Sequence, residues 1–137
     1  MAFTIRPVHY YYANVRDEFG AASRVLAALS GRGVNLLAFT AVPSGPALAQ
    51  FALFPEDSAK LVSESRAAGL ELDGPHRALL IQGDDELGAL AGVHERLVDA
   101  GVDIYASTGV TDGRGAFGYV VYVREEQFEK AREVFEL

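Results

Sequence analysis

The feature that most constrains the fold of this chain is an internal duplication. When the sequence is shifted by 68 residues, positions 17–45 align with positions 85–113 without a gap, and 12 of the 29 pairs are identical. The identities are spread along the whole segment, from Asp17 and Asp85 at its start to Gly45 and Gly113 at its end. A repeat of this length predicts one small structural unit built twice.

Both copies predict the same order of strands and helices. Short segments rich in Val, Ile, Leu and Tyr predict strands, and polar segments with apolar residues at helical spacing predict helices. The first helix of each copy closes on a glycine, and the second opens on acidic residues. The predicted strands are 8–14, 34–42, 47–54 and 70–73 in the first copy and 77–82, 102–110 and 117–123 in the second, and the predicted helices are 20–32, 56–68, 88–100 and 125–135.

This order is βαββαβ followed by βαββα, a ferredoxin-like α+β unit used twice. We assign residues 1–74 to the first repeat and 75–137 to the second. Each copy has about 65 residues, which is marginal for an independent core, so the antiparallel sheets are expected side by side with helices on one face. The other face is also apolar along 34–42 and at Tyr10–Tyr12. A second chain is therefore expected to cover it, which predicts a homodimer.

Composition excludes several classes of function. The 12 basic residues are outnumbered by 19 acidic ones and are scattered singly, so no nucleic-acid partner is expected. Without cysteine there is no disulfide and no thiolate nucleophile or metal ligand. No segment approaches the roughly 20 apolar residues of a membrane helix, and the first ten residues lack the pattern of a signal peptide. We expect a cytoplasmic protein without a membrane partner.

The sequence predicts no catalytic centre, and therefore no enzyme, metal or cofactor. His9, His76 and His94 have no ligand spacing, and no nucleophile is paired with a base. An acylphosphatase-like reading, with Arg16 cupping a phosphate, is weakened because Asp84 takes the equivalent place in the second copy. The acidic runs 84–86 and 125–126 are better explained by favourable charge at helix N-termini than by a divalent cation.

The loop between the first strand and first helix is the candidate binding element. It consists of Asp17, Glu18, Phe19 and Gly20 in one copy and of Asp85, Glu86, Leu87 and Gly88 in the other. A glycine at the start of a helix lets an anion approach the free N–H groups and the positive end of the helix dipole. The alternative is structural: Asp17 and Asp85 are N-caps, and the glycines only permit a tight turn.

Each loop is followed by a helix that closes on a similar sequence, Gly-Val-Asn-Leu (33–36) in the first copy and Gly-Val-Asp-Ile (101–104) in the second. With these features each copy resembles the ACT domain family, and the two resemblances together cover nearly the whole chain. ACT domains are βαββαβ modules that bind amino acids and other small effectors and regulate metabolic enzymes and transcription factors. Their usual loop has proline before the glycine, where this chain has Phe19 and Leu87.

The resemblance implies a ligand, an amino acid, held between copies by the loop of one and the second strand of another. That strand often supplies an amide, which maps onto Asn35, whereas Asp103 in the second copy departs from the pattern. Asn14 and Gln82 end the first strands and can add polar contacts, or can cap backbone. The expected protein is a regulatory homodimer acting on a metabolic enzyme. Its alternative is an interaction module that has lost ligand binding.

Overall fold

A computed structural model describes residues 3–137, which form an α+β fold with strands paired antiparallel. The α+β class and the ferredoxin-like arrangement are confirmed. The elements in chain order are β1 (Phe3–Arg16), α1 (Ala21–Gly31), β2 (Leu36–Pro43), β3 (Leu48–Pro55), α2 (Ser58–Ala67), β4 (Asp73–Asp84), α3 (Ala89–Asp99), β5 (Ile104–Thr111), β6 (Ala116–Val123), a 3-10 turn (Glu125–Gln127) and α4 (Phe128–Val134).

The chain divides into two compact units. The first unit is His9–His76, and the second unit combines Arg77–Leu137 with the start of the chain up to Val8. The long strand β1 therefore gives its described residues 3–8 to the second unit and the rest to the first, while β4 begins in the first unit and continues in the second.

The first unit is a sheet in the order β2-β3-β1 with both helices on one face. Alternate residues of β1 and β3 point to that face and meet the apolar sides of α1 and α2. The buried residues of this core are Tyr11, Ala13, Ala21, Leu29, Val34, Phe51, Leu53 and Leu61. Leu48 at the start of β3 pairs with Arg16 at the end of β1, and Pro55 at the end of β3 pairs with Leu36 at the start of β2.

The second unit repeats this plan with strand order β4-β6-β5 and helices α3 and α4. Its buried core is formed by Leu79, Ile81, Ala89, Val93, Leu97, Val102, Phe117, Tyr119, Val121, Val123, Phe128 and Ala131. Phe3 and Ile5 pack against the same core, and the Thr4 hydroxyl donates to the Gln82 carbonyl oxygen at 3.4 Å. The start of β1 is thus part of the second unit.

The predicted separate fourth strand, 70–73, is wrong. Residues 70–72 form no strand, although Leu70 and Leu72 pack against the core of the first unit, and Asp73 begins the long strand β4. Gly74 and Pro75 lie between the predicted strands 70–73 and 77–82, and both residue types are rare inside strands. The strand nevertheless runs through them.

The predicted helix ends are confirmed. Gly33 and Gly101 follow α1 and α3 with φ of 78° each, the left-handed conformation that glycine adopts most easily. At the start of α2 the Asp57 carboxylate accepts a hydrogen bond from the Lys60 N–H at 3.2 Å. An acidic residue therefore lies at the start of this helix, as the sequence predicts, and its side chain also caps the helix.

The sheet face opposite the helices is buried in part within the isolated chain. Ala52 and Phe54 in the first unit and Ala78 and Leu80 in the second are all at most 5% exposed. The expectation of a covering second chain rests on 34–42 and Tyr10–Tyr12, and the homodimer stays a proposal. Within residues 3–137 no helix is long and apolar enough to cross a membrane.

Candidate functional site

The two predicted binding loops have the same backbone geometry. Gly20 (φ 79°, ψ 8°) and Gly88 (φ 84°, ψ 2°) occupy the N-cap positions of α1 and α3 in the left-handed conformation. The N–H of Ala21 donates to the Glu18 carbonyl at 3.0 Å, and the N–H of Ala89 donates to the Glu86 carbonyl at 3.1 Å. The repeat therefore reproduces the loop conformation as well as the loop sequence.

The structural alternative for the two aspartates is wrong in one respect. The N-caps are Gly20 and Gly88, not Asp17 and Asp85, and no side chain caps either helix. A helix leaves the N–H groups of its first turn without an intrahelical partner. In both units the N–H of the first helical residue is bonded within the loop, so the N–H groups that follow it in the first turn are the ones left for an external acceptor such as a carboxylate.

A groove in the first unit opens beside the first of these helix ends. Its volume is about 290 Å³. The floor is the helix-side face of β2 and β3, the wall is the first turn of α1, and the rim is the loop after β1. The lining residues are Asp17, Glu18, Gly20, Ala21, Ala22, Ser23, Ala41, Val42, Pro43, Ala49 and Phe51. We call this the first groove.

Charged side chains surround the rim of the first groove. The Glu18 carboxylate lies 3.7 Å from Arg16 Nε and 3.2 Å from Arg24 Nη2. Arg24 also donates from Nη1 to the Phe19 carbonyl oxygen at 3.1 Å. Asp17 forms no ion pair within the described residues, so its carboxylate is free to accept from a ligand. The rim thus offers both signs of charge.

The side chains of Phe19 and Leu87 do not line a groove. They are 103% and 107% exposed, so both project from the loop tips into solvent. Their apolar character does not help to shape a ligand pocket in the arrangement described here.

Asn35 and Asp103 lie at the far end of their own sheets from the loops. Asn35 donates from Nδ2 to Glu56 Oε2 at 2.8 Å, next to the end of β3. Since the loop is next to the start of this eight-residue strand, about 23 Å of strand separates the two places. Asp103 pairs with Arg124 at 3.4 Å at the corresponding end of the second unit. Neither residue joins the loop of its own unit.

Asn14 and Gln82 also lie apart from the helix N-termini. Their neighbours Ala13 and Ile81 point into the helix-side cores, so the alternation of a strand puts Asn14 and Gln82 on the opposite sheet face. Gln82 lines a shallow groove of about 520 Å³ there, together with residues at the ends of β4, β5 and β6. The expectation that both side chains lie beside the helix N-termini is therefore not met.

The ion pairs of Arg77 with Glu125 and Glu129 shift the pKa values of two of these groups. The hydrogen bonds that Arg77 donates to Glu125 and, second, to Glu129 raise the pKa of Arg77, and the bond from Arg77 lowers the pKa of the Glu129 carboxyl. These groups link β4 to α4 on the surface, away from both loops. Within residues 3–137, no three His, Asp or Glu side chains are grouped so that they could hold a metal ion.

Sequence reasoning missed most of the first groove. Ala22, Ala41 and Ala49 bear no chemical group, and they matter because they leave space. The signal that could have found two of them is the comparison between copies, because Ala22 is replaced by Leu90 and Ala41 by Gly109.

Comparison with known proteins bears on the fold. No family model matches the sequence, and no curated protein matches it. A protein from Bacteroides thetaiotaomicron superimposes with a TM-score of 0.82 at 17% identity, over 96% of this chain and 88% of that one. The regulatory subunit of aspartate kinase from Thermus thermophilus, in its ligand-free form, gives 0.66 at 14% identity, over 98% and 95%. Its counterpart from Thermus flavus gives 0.62 at 17%, over 98% and 94%. The chain shares the fold of these proteins along almost its entire length.

Proposed function

We propose that this chain is a regulatory protein of the ACT type that binds a small molecule, an amino acid, at the loop between a first strand and a first helix. The observation that carries the proposal is the first groove, an apolar cleft of about 290 Å³ that ends at an uncapped helix N-terminus. The fold shared with regulatory subunits of aspartate kinase supports a regulatory role over a catalytic one.

The groove matches the three parts of an α-amino acid. The ligand carboxylate accepts from the N–H groups of the first turn of α1, where the helix dipole favours negative charge. The ligand ammonium lies against the Asp17 carboxylate, and the side chain enters the apolar floor formed by residues such as Ala41 and Phe51. Glu18 holds Arg16 and Arg24 at the rim, which keeps the local charge balanced.

Regulation follows if the bound state favours one packing of the protein over another, since a ligand shifts an equilibrium by its difference in affinity for the two states. The proposal includes that the chain forms a homodimer and that a metabolic enzyme is the target of its regulation. The exposed edge strands are the surfaces on which a second copy could pack, since Val42 is 51% and Val110 71% exposed.

A second candidate is the interaction module without a ligand. The observation that favours it is the pair of loop tips, because Phe19 and Leu87 are fully exposed apolar side chains at equivalent positions. Aromatic side chains such as Phe19 are enriched in contacts between proteins. In that case the loops present anchors to a partner instead of enclosing a ligand.

Thermal denaturation in the presence of each of the twenty amino acids distinguishes the amino-acid-binding protein from the interaction module. A ligand at a hundredfold excess over Kd stabilises the native state by about 2.7 kcal/mol, which raises the Tm by several degrees. We expect a saturable rise with one amino acid or one related group, and a tenfold loss of affinity in Asp17→Asn but not in the control Asp99→Asn. If no amino acid raises the Tm, the interaction module replaces the sensor.

A further inference from the structure

We propose that the chain binds one ligand and not two, because the second unit fills its own groove with side chains, and that the ligand has a short aliphatic side chain. This inference rests on the proposed function. It assigns Ala22 and Ala41 as the residues that determine the size of the ligand, and Leu90 and Tyr119 as the residues that close the equivalent space.

The space equivalent to the first groove is closed in the second unit by an aromatic ring and a leucine. Tyr119 takes the place of Phe51, and its ring lies against the backbone of β5 at Gly109, where an added Cβ would be 2.9 Å from Tyr119 Cδ1. Leu90 takes the place of Ala22, and its Cδ1 would be 3.6 Å from that same Cβ. The Tyr119 ring and the Leu90 side chain therefore both lie against Gly109, the position that Ala41 occupies in the first unit.

A hydrogen bond fixes the closing ring. Tyr119 Oη and His94 Nε2 are 2.5 Å apart, which ties the ring of β6 to α3. The first unit has Leu26 and Phe51 at these two positions, so no such bond is possible there. Phe51 instead packs against Phe39, with ring centroids 5.5 Å apart. The two copies have thus diverged into an open and a closed form of one groove.

The charges of the two loops also differ, and the difference favours binding of a ligand carboxylate in the first unit. Arg16 and Arg24, the guanidinium groups at the rim of the first groove, are replaced by Asp84 and Gly92 in the second copy. The second loop consequently carries the three carboxylates of residues 84–86, none of which pairs with a cation within the described residues. A ligand carboxylate is repelled there, whereas the first loop balances its charges.

The walls of the first groove set the size of the ligand. Ala22, Ala41 and Ala49 project single methyl groups toward the space between α1 and the sheet. A volume of about 290 Å³ lies at the lower limit of the range of ligand pockets. The carboxylate and ammonium groups of an amino acid occupy the end of the groove next to the loop, so the remaining space suits a side chain of one to four carbons.

Titration with glycine, L-alanine, L-valine, L-leucine and L-phenylalanine tests the inference, with calorimetry for stoichiometry and amide NMR for location. We expect one site per chain and shifts at the amides of residues 20–23 but not at 88–91. Ala22→Leu copies the second unit into the first and should weaken binding at least tenfold. The matched change Leu90→Ala should leave affinity within twofold, and L-phenylalanine should bind at least tenfold more weakly than L-valine.

The outcomes separate this inference from the proposed function. Two equal sites per chain, equal shifts at 88–91, or undiminished binding to Ala22→Leu overturn the single groove while amino-acid binding stands. Equal affinity for L-phenylalanine and L-valine overturns the size limit alone. If none of the five amino acids, nor any other, binds the native protein or either variant, both the inference and the proposed function fail.

Discussion

The ring of Tyr119 rests on the backbone of Gly109, so close that a Cβ on this glycine would stand 2.9 Å from Tyr119 Cδ1. The two residues are paired across β5 and β6, which fixes their facing. The ring cannot easily turn away, because its hydroxyl is bonded to His94. Gly109 is therefore needed for the space that it leaves and not for its backbone freedom.

Gly109→Ala should destabilise the protein by about 1–2 kcal/mol, because a methyl group is forced into a filled contact. Gly118→Ala is the matched control, since it lies on the neighbouring strand and its Cβ would meet nothing within 4 Å. Alanine there should be neutral or slightly stabilising. Urea denaturation of both variants measures the difference, and equal stabilities would contradict the tight contact.

The loop glycine is expected to behave differently, since its requirement is conformational. Gly20 has φ of 79°, and the nearest atom to an added Cβ is Arg24 Nη1 at 3.6 Å, an ordinary contact. Gly20→Ala should cost about 1 kcal/mol because L-residues avoid the left-handed region, and Gly20→Asn should cost less. Urea denaturation orders the two variants. An alanine variant as stable as the native protein would show that the loop can relax.

The duplication explains why the fold could be predicted from the sequence in some detail. Two copies gave independent indications of each helix, and the glycines at 33 and 101 marked the helix ends correctly. The strands were harder. β1 and β4 run well beyond the predicted segments 8–14 and 77–82. Proline is unfavourable inside strands, so Pro7 and Pro75 disguise this continuation in the sequence, and a sequence window does not show that the neighbouring strand continues.

The site could be predicted only where chemistry marks it. Asp17 and Gly20 were found because a carboxylate and a helix-opening glycine are recognisable residue types. Ala22 and Ala41 escaped because space has no residue signature. Asn14 was misplaced for a different reason: it ends the right strand, but alternation points its side chain to the other sheet face.

The bond between His94 and Tyr119 should appear as an energetic coupling. His94→Leu and Tyr119→Phe each copy the first unit, and each alone leaves one polar group without its partner. We expect each single variant to lose about 1 kcal/mol and the double variant to lose less than the sum of the two. A double-mutant cycle from urea denaturation measures this coupling. Strictly additive losses would contradict a bond that holds the ring.

The pH dependence of stability should reveal the ion pair between β4 and α4. Arg77 donates from Nη1 to Glu129 Oε1 at 2.8 Å, and its guanidinium also lies 4.3 Å from the centre of the Phe128 ring. The hydrogen bond from Arg77 lowers the pKa of Glu129 below its ordinary value. A carboxyl group whose pKa is lowered in the folded state binds its proton more readily in the unfolded state. Its stabilising contribution is therefore complete above the unfolded pKa and is lost as the pH falls through the folded pKa.

Glu129→Gln should lower the Tm slightly at pH 7, and the gap to the native protein should shrink as the pH falls through the lowered pKa of Glu129 and the native carboxylate takes up its proton. The contribution is small because the pair lies on the surface. Glu133→Gln is the control, an exposed carboxylate on the same helix, and should show no such pH-dependent gap. Thermal denaturation across this range measures both variants. A gap for Glu129→Gln that is the same at pH 7 and below that pKa would mean that the carboxylate charge does not stabilise the contact with Arg77.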